Sequence, residues 1–178
     1  MLRIVAGKYR HLIINQPNTD TTRPTMDKVR EAIFSSLGYS IVGKKVLDLF
    51  AGSGAMGLEA LSRGAIECTF VDNNALAIST IKKNVSLLKI EEKTSIIKKE
   101  YFSFLSSINE TFDILFLDPP YKMKKVYDEV IEYMLENNLL SENAIIVKEC
   151  DAPFDDDKRF YKDKKYKYGS VHVQILWR

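Results

Sequence analysis

Val46-Leu47-Asp48-Leu49-Phe50-Ala51-Gly52-Ser53-Gly54-Ala55-Met56-Gly57 runs from an apolar stretch through a glycine loop into a helix. Val46 to Phe50 suits a buried strand, Gly52 to Gly54 a turn, and Ala55 to Arg63 a helix. Gly52, Gly54 and Gly57 satisfy G-x-G-x-x-G. In that arrangement a ligand meets bare backbone at the carboxyl edge of a sheet.

The same rhythm continues downstream. Glu67 to Val71 predicts a strand, with Asp72 at its end. Asn74 to Leu88 predicts a helix with Leu76, Ile81, Val85 and Leu88 turned inward. Thr94 to Ile97 reads as a strand, followed by a short helix through Phe102 and Leu105. Phe112 to Leu117 is nearly all apolar, as a parallel strand buried on both faces should be. Lys124 to Asn137 follows as a helix and Ala144 to Lys148 as a strand. Such alternation specifies β-α-β crossovers and an open parallel sheet. The tail breaks the pattern. Val171 to Trp177 alternates as a strand with no long helix before it, and Arg159 to Lys165 is its neighbour through Lys167-Tyr168-Gly169-Ser170. A terminal hairpin puts at least one strand antiparallel.

Upstream, Leu2 to Val5 and His11 to Ile14 predict an N-terminal hairpin, and Asn15 to Pro24 a polar loop. Thr25 to Leu37 carries Met26, Val29, Ile33 and Leu37 at helical spacing, with Thr25 as N-cap and Gly38 as the stop. The expected organisation is an extension over residues 1–24 and one α/β unit over 25–178.

A chain of 178 residues with 46% hydrophobic composition is long enough for one well-filled core. No apolar run approaches the roughly 20 residues of a membrane span, and the first residues lack the apolar stretch of a secretion signal. Cys68 and Cys150 sit in or beside apolar runs without metal-ligand spacing, so buried reduced thiols and a cytoplasmic setting are expected. The net charge of +2 divides unevenly, at +5 over residues 1–45, −5 over 46–150 and +2 over 151–178. Basic chain ends suit a phosphate-bearing partner.

Asp48 lies four residues before Gly52. A pyrophosphate, as in dinucleotide cofactors, prefers bare amides at a helix N-terminus. A carboxylate suits a cationic ligand, and S-adenosylmethionine offers an ammonium and a sulfonium. Asp48 can equally cap the loop amides. Asp72 suits ribose recognition about 20 residues after the loop. Glu100 can accept from an adenine amino group, or simply start a helix.

Asp118-Pro119-Pro120-Tyr121 directly follows the most apolar strand. Two successive prolines fix two φ angles and contribute no N–H. The loop therefore offers acceptors, the Asp118 carboxylate and the Pro119 carbonyl, beside the aromatic face of Tyr121. That chemistry holds a planar base through its amino group, once the base has left its stack.

With these residues the chain resembles the bacterial 16S rRNA guanine-N2 methyltransferases of the RsmD type. The resemblance rests on Asp48 to Gly54, Asp118 to Tyr121, Arg23-Pro24-Thr25-Met26-Asp27-Lys28-Val29-Arg30-Glu31, Gly57 to Gly64 and Arg3 to Gly7. It implies a Rossmann-like, seven-stranded sheet, mostly parallel with an antiparallel last strand. It implies S-adenosyl-L-methionine as cofactor and a guanine of 16S rRNA as target, in a 30S subunit or assembly intermediate. Asp48, Phe50, Ala51, Gly52, Ser53 and Gly54 would line the cofactor with Asp72, Asn73, Glu100 and Tyr101, and Arg23 and Thr25 would close over it. Glu100 departs from the Asp or Asn usual there, and Asn74 from a second acid. Asp118, Pro119, Pro120 and Tyr121 would form the catalytic clamp, without a metal.

Lys8, Arg10, Lys28, Arg30, Lys122, Lys124 and Lys125 are the candidate phosphate contacts for RNA. A monomer is expected. The rival readings are an adenine-N6 or cytosine-N4 methyltransferase, which shares the clamp, an NAD(P)-dependent oxidoreductase, and a non-catalytic RNA-binding module.

Overall fold

The structure is a computed structural model, and it describes residues 2–17, 27–120 and 125–178. Two short strands, β1 (Leu2–Arg3) and β2 (Ile13–Ile14), pair antiparallel with Leu2 opposite Ile14. After α1 (Asp27–Leu37) the main sheet is built from β3 (Lys45–Asp48), β4 (Glu67–Asp72), β5 (Thr94–Lys98), β6 (Phe112–Leu117), β7 (Leu140–Cys150), β8 (Lys162–Tyr168) and β9 (Val171–Trp177). The intervening helices are α2 (Ala55–Ser62), α3 (Ala75–Leu88), α4 (Tyr101–Leu105) and α5 (Val126–Glu136).

Strand order is β5-β4-β3-β6-β7-β9-β8. β3 to β7 run parallel, and β9 pairs antiparallel with both β7 and β8. This is the expected α/β architecture with its antiparallel end and N-terminal pair. The chain reverses its direction of winding between β3 and β6. A crevice at that switch point, outside the strands' carboxyl ends, is where such sheets bind ligands.

Alternation along the strands divides the interior in two. Val46, Ile114, Phe116, Ile145, Val147 and Ile175 pack under α1, α2 and α3. Leu47, Leu115, Leu117, Ile146 and Leu176 pack under α4 and α5. Leu2, Ile4 and Ile14 join the first of these clusters, so the N-terminal pair is part of the main core. Both cysteines are buried free thiols.

The sequence reading needs one correction among the helices. Leu76 is 52% exposed, whereas Ile81, Val85 and Leu88 are buried as expected. Leu76 lies in the first turn of α3, where its N–H donates to the Asn74 cap. The Thr25 cap lies outside the described residues. Among the described residues, no helix is long and apolar enough to cross a membrane.

Candidate active site

The carboxyl ends of β3, β4 and β6 converge on the glycine loop. Leu49 N–H donates to Phe116 O at 3.3 Å and Ala51 N–H to Val71 O at 3.0 Å, which stitches the loop across both neighbouring strands. Gly52 and Gly54 hold φ of 52° and 78°, in the left-handed region open to glycine at little cost. Gly57 is required by packing, since a Cβ there would lie 2.3 Å from Phe70 Cε1 and 2.5 Å from Cys68 Sγ.

Two carboxylates brace this loop. Asp72 accepts from Gly52 N–H at 2.9 Å with one oxygen and from Asn74 N–H at 2.8 Å with the other. Asp48 is buried and accepts from Gly57 N–H at 3.0 Å. Burial pushes its carboxyl up to about 7, against the Gly57 hydrogen bond, with Asp72 adding a smaller upward push. The capping geometry for Asp48 is therefore present. A cationic group brought alongside it would favour the ionised form.

Asn84 was not singled out by the sequence reading. It is fully buried on α3 and uses its whole amide. Its oxygen accepts from Asn15 N–H at 2.7 Å and from the Asn15 side chain at 2.9 Å, and its nitrogen donates to Asn15 O and Ser53 O, each at 3.0 Å. The N-terminal arm and the glycine loop are thus tied to one side chain. Glu59 on α2 also holds the arm, accepting from Val5 N–H at 2.7 Å, Ala6 N–H at 3.0 Å and Arg63 Nε at 2.6 Å.

Farther along the edge, Phe50 and Tyr101 bring their rings to 5.4 Å and form an aromatic wall. The Tyr101 hydroxyl donates to Glu129 at 3.2 Å. Glu100 caps α4, accepting from Phe102 N–H and Ser103 N–H at 3.0 Å each. Asn73 is exposed beside Asp72.

Asp118 follows β6 on the α1–α3 face, the same face as Asp48, because it keeps the parity of Phe116. Desolvation pushes its carboxyl well above the usual range, with Glu149 and then Asp48 adding to the shift. Pro119 is buried and Pro120 exposed. Tyr121, Lys122, Lys124, Arg23 and Thr25 lie outside the described residues. Lys8, Arg10, Lys28 and Lys125 are exposed. Arg30 is the correction among the expected phosphate contacts: it is 1% exposed, and its guanidinium is spent on Asp27 at 2.8 Å and Arg3 O at 2.6 Å. A cation so enclosed fixes α1 to the N-terminal arm and presents nothing to a phosphate.

The edge thus combines amide-rich glycine turns, the buried Asp48 carboxyl, the Asp72 carboxylate at the end of β4 and an aromatic wall. This donor and acceptor set fits a nucleoside carrying a cationic side arm, which describes S-adenosylmethionine.

Comparisons agree with this chemistry. Residues 2–177 match the family described as Conserved hypothetical protein 95. The chain is 38% identical over 153 residues to the Bacillus subtilis protein YlbH, which its name assigns as an rRNA methyltransferase, covering 84% of this chain and 83% of the relative. It is 35% identical over 151 residues to the ribosomal RNA small subunit methyltransferase D of Escherichia coli, covering 85% and 75%. A solved Escherichia coli structure, yhhF, assigned as a methyltransferase, superposes with a TM-score of 0.88 at 31% identity, covering 99% of this chain and 97% of that one.

Proposed function

The chain belongs to the Conserved hypothetical protein 95 family, which it matches nearly end to end and shares the relatives named rRNA methyltransferases, and from that premise we propose that it methylates the exocyclic N2 amino group of a guanine in 16S rRNA. The methyl donor in this reading is S-adenosylmethionine, whose sulfonium supplies an electrophilic methyl carbon. The observation that carries the proposal is Asp118 at the carboxyl end of β6, on the Asp48 face and beside the glycine loop. The Asp-Pro-Pro-Tyr motif continues from it.

The amino nitrogen of guanine is a weak nucleophile because its lone pair is delocalised into the ring. Asp118 and the Pro119 carbonyl accept its two hydrogens, which favours a pyramidal nitrogen and frees the lone pair. The prolines hold these acceptors in place before the base arrives, so positioning supplies much of the rate. Asp118 also faces positive charge as it grows on the nitrogen. In the free protein, burial and Glu149 hold Asp118 towards its protonated form. Its acceptor form is then populated only at a pH above the ordinary carboxylate range, so the rate should rise with pH. The exposed Lys8, Arg10, Lys28 and Lys125 supply phosphate contacts. The preferred substrate is 16S rRNA within a 30S subunit or assembly intermediate.

Asp118→Ala tests the clamp. Methyl transfer to 30S subunits should fall by about 100-fold or more, the scale of losing one preorganised group. The dissociation constant for S-adenosylhomocysteine, read by calorimetry, should stay the same. Near-normal transfer by the variant would remove Asp118 from the mechanism.

A further inference from the structure

The carboxyl end of β7 carries a second feature, on the face opposite Asp118. Lys148 has the parity of Ile146 and Cys150, so its side chain turns to the α4–α5 side. There it lines a cavity of about 410 Å³, together with Tyr127 of α5 and Phe154 of the β7–β8 connection. Small-ligand sites span about 300–1,000 Å³. Lys148 is only 5% exposed. Its ammonium lies 4.6 Å from the Phe154 ring centre and 6.0 Å from that of Tyr127. Among the described residues it makes no hydrogen bond and no ion pair. An ammonium brings three donors, and withdrawing it from water without acceptors is costly. Burial lowers its pKa, against opposing pulls from Asp157 and Asp128. Those two carboxylates are engaged by Arg159, which donates to Asp157 at 2.6 Å and to Asp128 at 3.0 Å.

An acceptor from a ligand would complete this site. The lining sets two cations, Lys148 and Arg159, against four aspartates, Asp128, Asp155, Asp156 and Asp157. A phosphate would meet net negative charge there. A neutral planar ring with a carbonyl oxygen would not. Its oxygen takes the Lys148 donors, its flat surface lies against the half-buried Phe154 ring, and its N–H groups face the aspartates. Guanine, uracil and cytosine have these features, and adenine lacks the carbonyl. Lysine pairs with such acceptors on base edges. Aromatic contact with unstacked bases is how single-stranded RNA is commonly held. Lys148 is also the register partner of Leu117, the residue before Asp118. Neighbouring strands lie about 4.8 Å apart. An RNA strand that delivers its target base to Asp118 thus brings the adjoining nucleotides to the same sheet edge.

We infer that the Lys148 cavity is a second nucleobase site, taking an unpaired, carbonyl-bearing base of the same RNA strand beside the target guanine. This rests on the proposed function, and the experiment keeps the two separate.

Wild-type protein, Lys148→Met and Phe154→Ala are compared on unmodified 30S subunits. Methionine keeps a long unbranched side chain and removes a buried charge, so the urea midpoint of Lys148→Met should not fall. Each variant should raise KM for 30S subunits about 10-fold, the scale of one hydrogen bond to a charged group or one base–aromatic contact. The kcat and the S-adenosylhomocysteine affinity should stay within twofold. KM within twofold of wild type in both variants would overturn the inference. So would a loss shared by kcat and S-adenosylhomocysteine affinity, the mark of a merely structural lysine. The salt dependence of 30S binding should have the same slope in wild type and Lys148→Met, because a base contact displaces no counter-ion. A slope smaller by about one would make Lys148 a phosphate contact and overturn the nucleobase assignment. N6-methyladenosine or N4-methylcytidine as the wild-type product would overturn the guanine reading and leave the KM comparison to decide the cavity. No transfer by the wild type would overturn the proposed function, and the 30S dissociation constants of the variants would then decide the cavity in place of KM.

Discussion

At the scale of single residues, Asp48 and Arg30 show opposite outcomes of burying a charge. Arg30 is satisfied by Asp27 and a carbonyl, and its role is architectural. Asp48 accepts from the Gly57 amide and is pushed up to about 7 by burial. For an acid raised in the folded state, the folded protein holds the proton more tightly than the unfolded chain does. The stability this confers is complete below about pH 4, the unfolded value, and is lost as pH rises through about 7. Asp48→Asn removes that loss. In urea denaturation without cofactor, the variant should gain on the parent between about pH 5 and about pH 8, and an equal difference at both would contradict the assignment. The sequence placed Asp48 and Asp72 at the loop because spacing from the glycines is local information. It did not show Arg30 turning inward, although Asp27 three residues earlier was the visible sign of a partner.

At the scale of elements, the glycine loop works because α2 lies tightly on β4. Gly57 makes that approach possible, and Gly57→Ala would drive a methyl group against the buried Phe70 and Cys68 side chains. Overpacking of this kind costs about 1–3 kcal/mol. The urea midpoint should fall accordingly, and an unchanged midpoint would show that α2 has room to shift. Periodicity made these elements legible: β6 runs Phe112–Leu117 as read, and α3 ends at Leu88 as read. Edges were less legible. β7 begins at Leu140 instead of Ala144, because Ser141, Glu142 and Asn143 are polar and the last two are exposed, which hides the strand from an apolar pattern. The links from Glu59 to Val5 and from Asn84 to Asn15 span 54 and 69 residues, and no local pattern announces such contacts.

At the scale of the whole molecule, the topology gathers the ends of β3, β4, β6 and β7 on one edge, and the N-terminal arm reaches the same edge through Asn84. The glycine loop and Asp118 therefore meet at one sheet edge, with exposed lysines and an arginine on the arm and beside α5. The sheet was readable from the alternation of elements, because each apolar strand needs helices on both faces. The target base was not, because the clamp's chemistry is common to three bases. The most direct test is nucleoside analysis of 16S rRNA after unmodified 30S subunits are incubated with the protein and S-adenosylmethionine. The account predicts N2-methylguanosine, formed about 100-fold or more slowly when Asp118 is replaced by Ala. N6-methyladenosine, N4-methylcytidine or no transfer at all would contradict it.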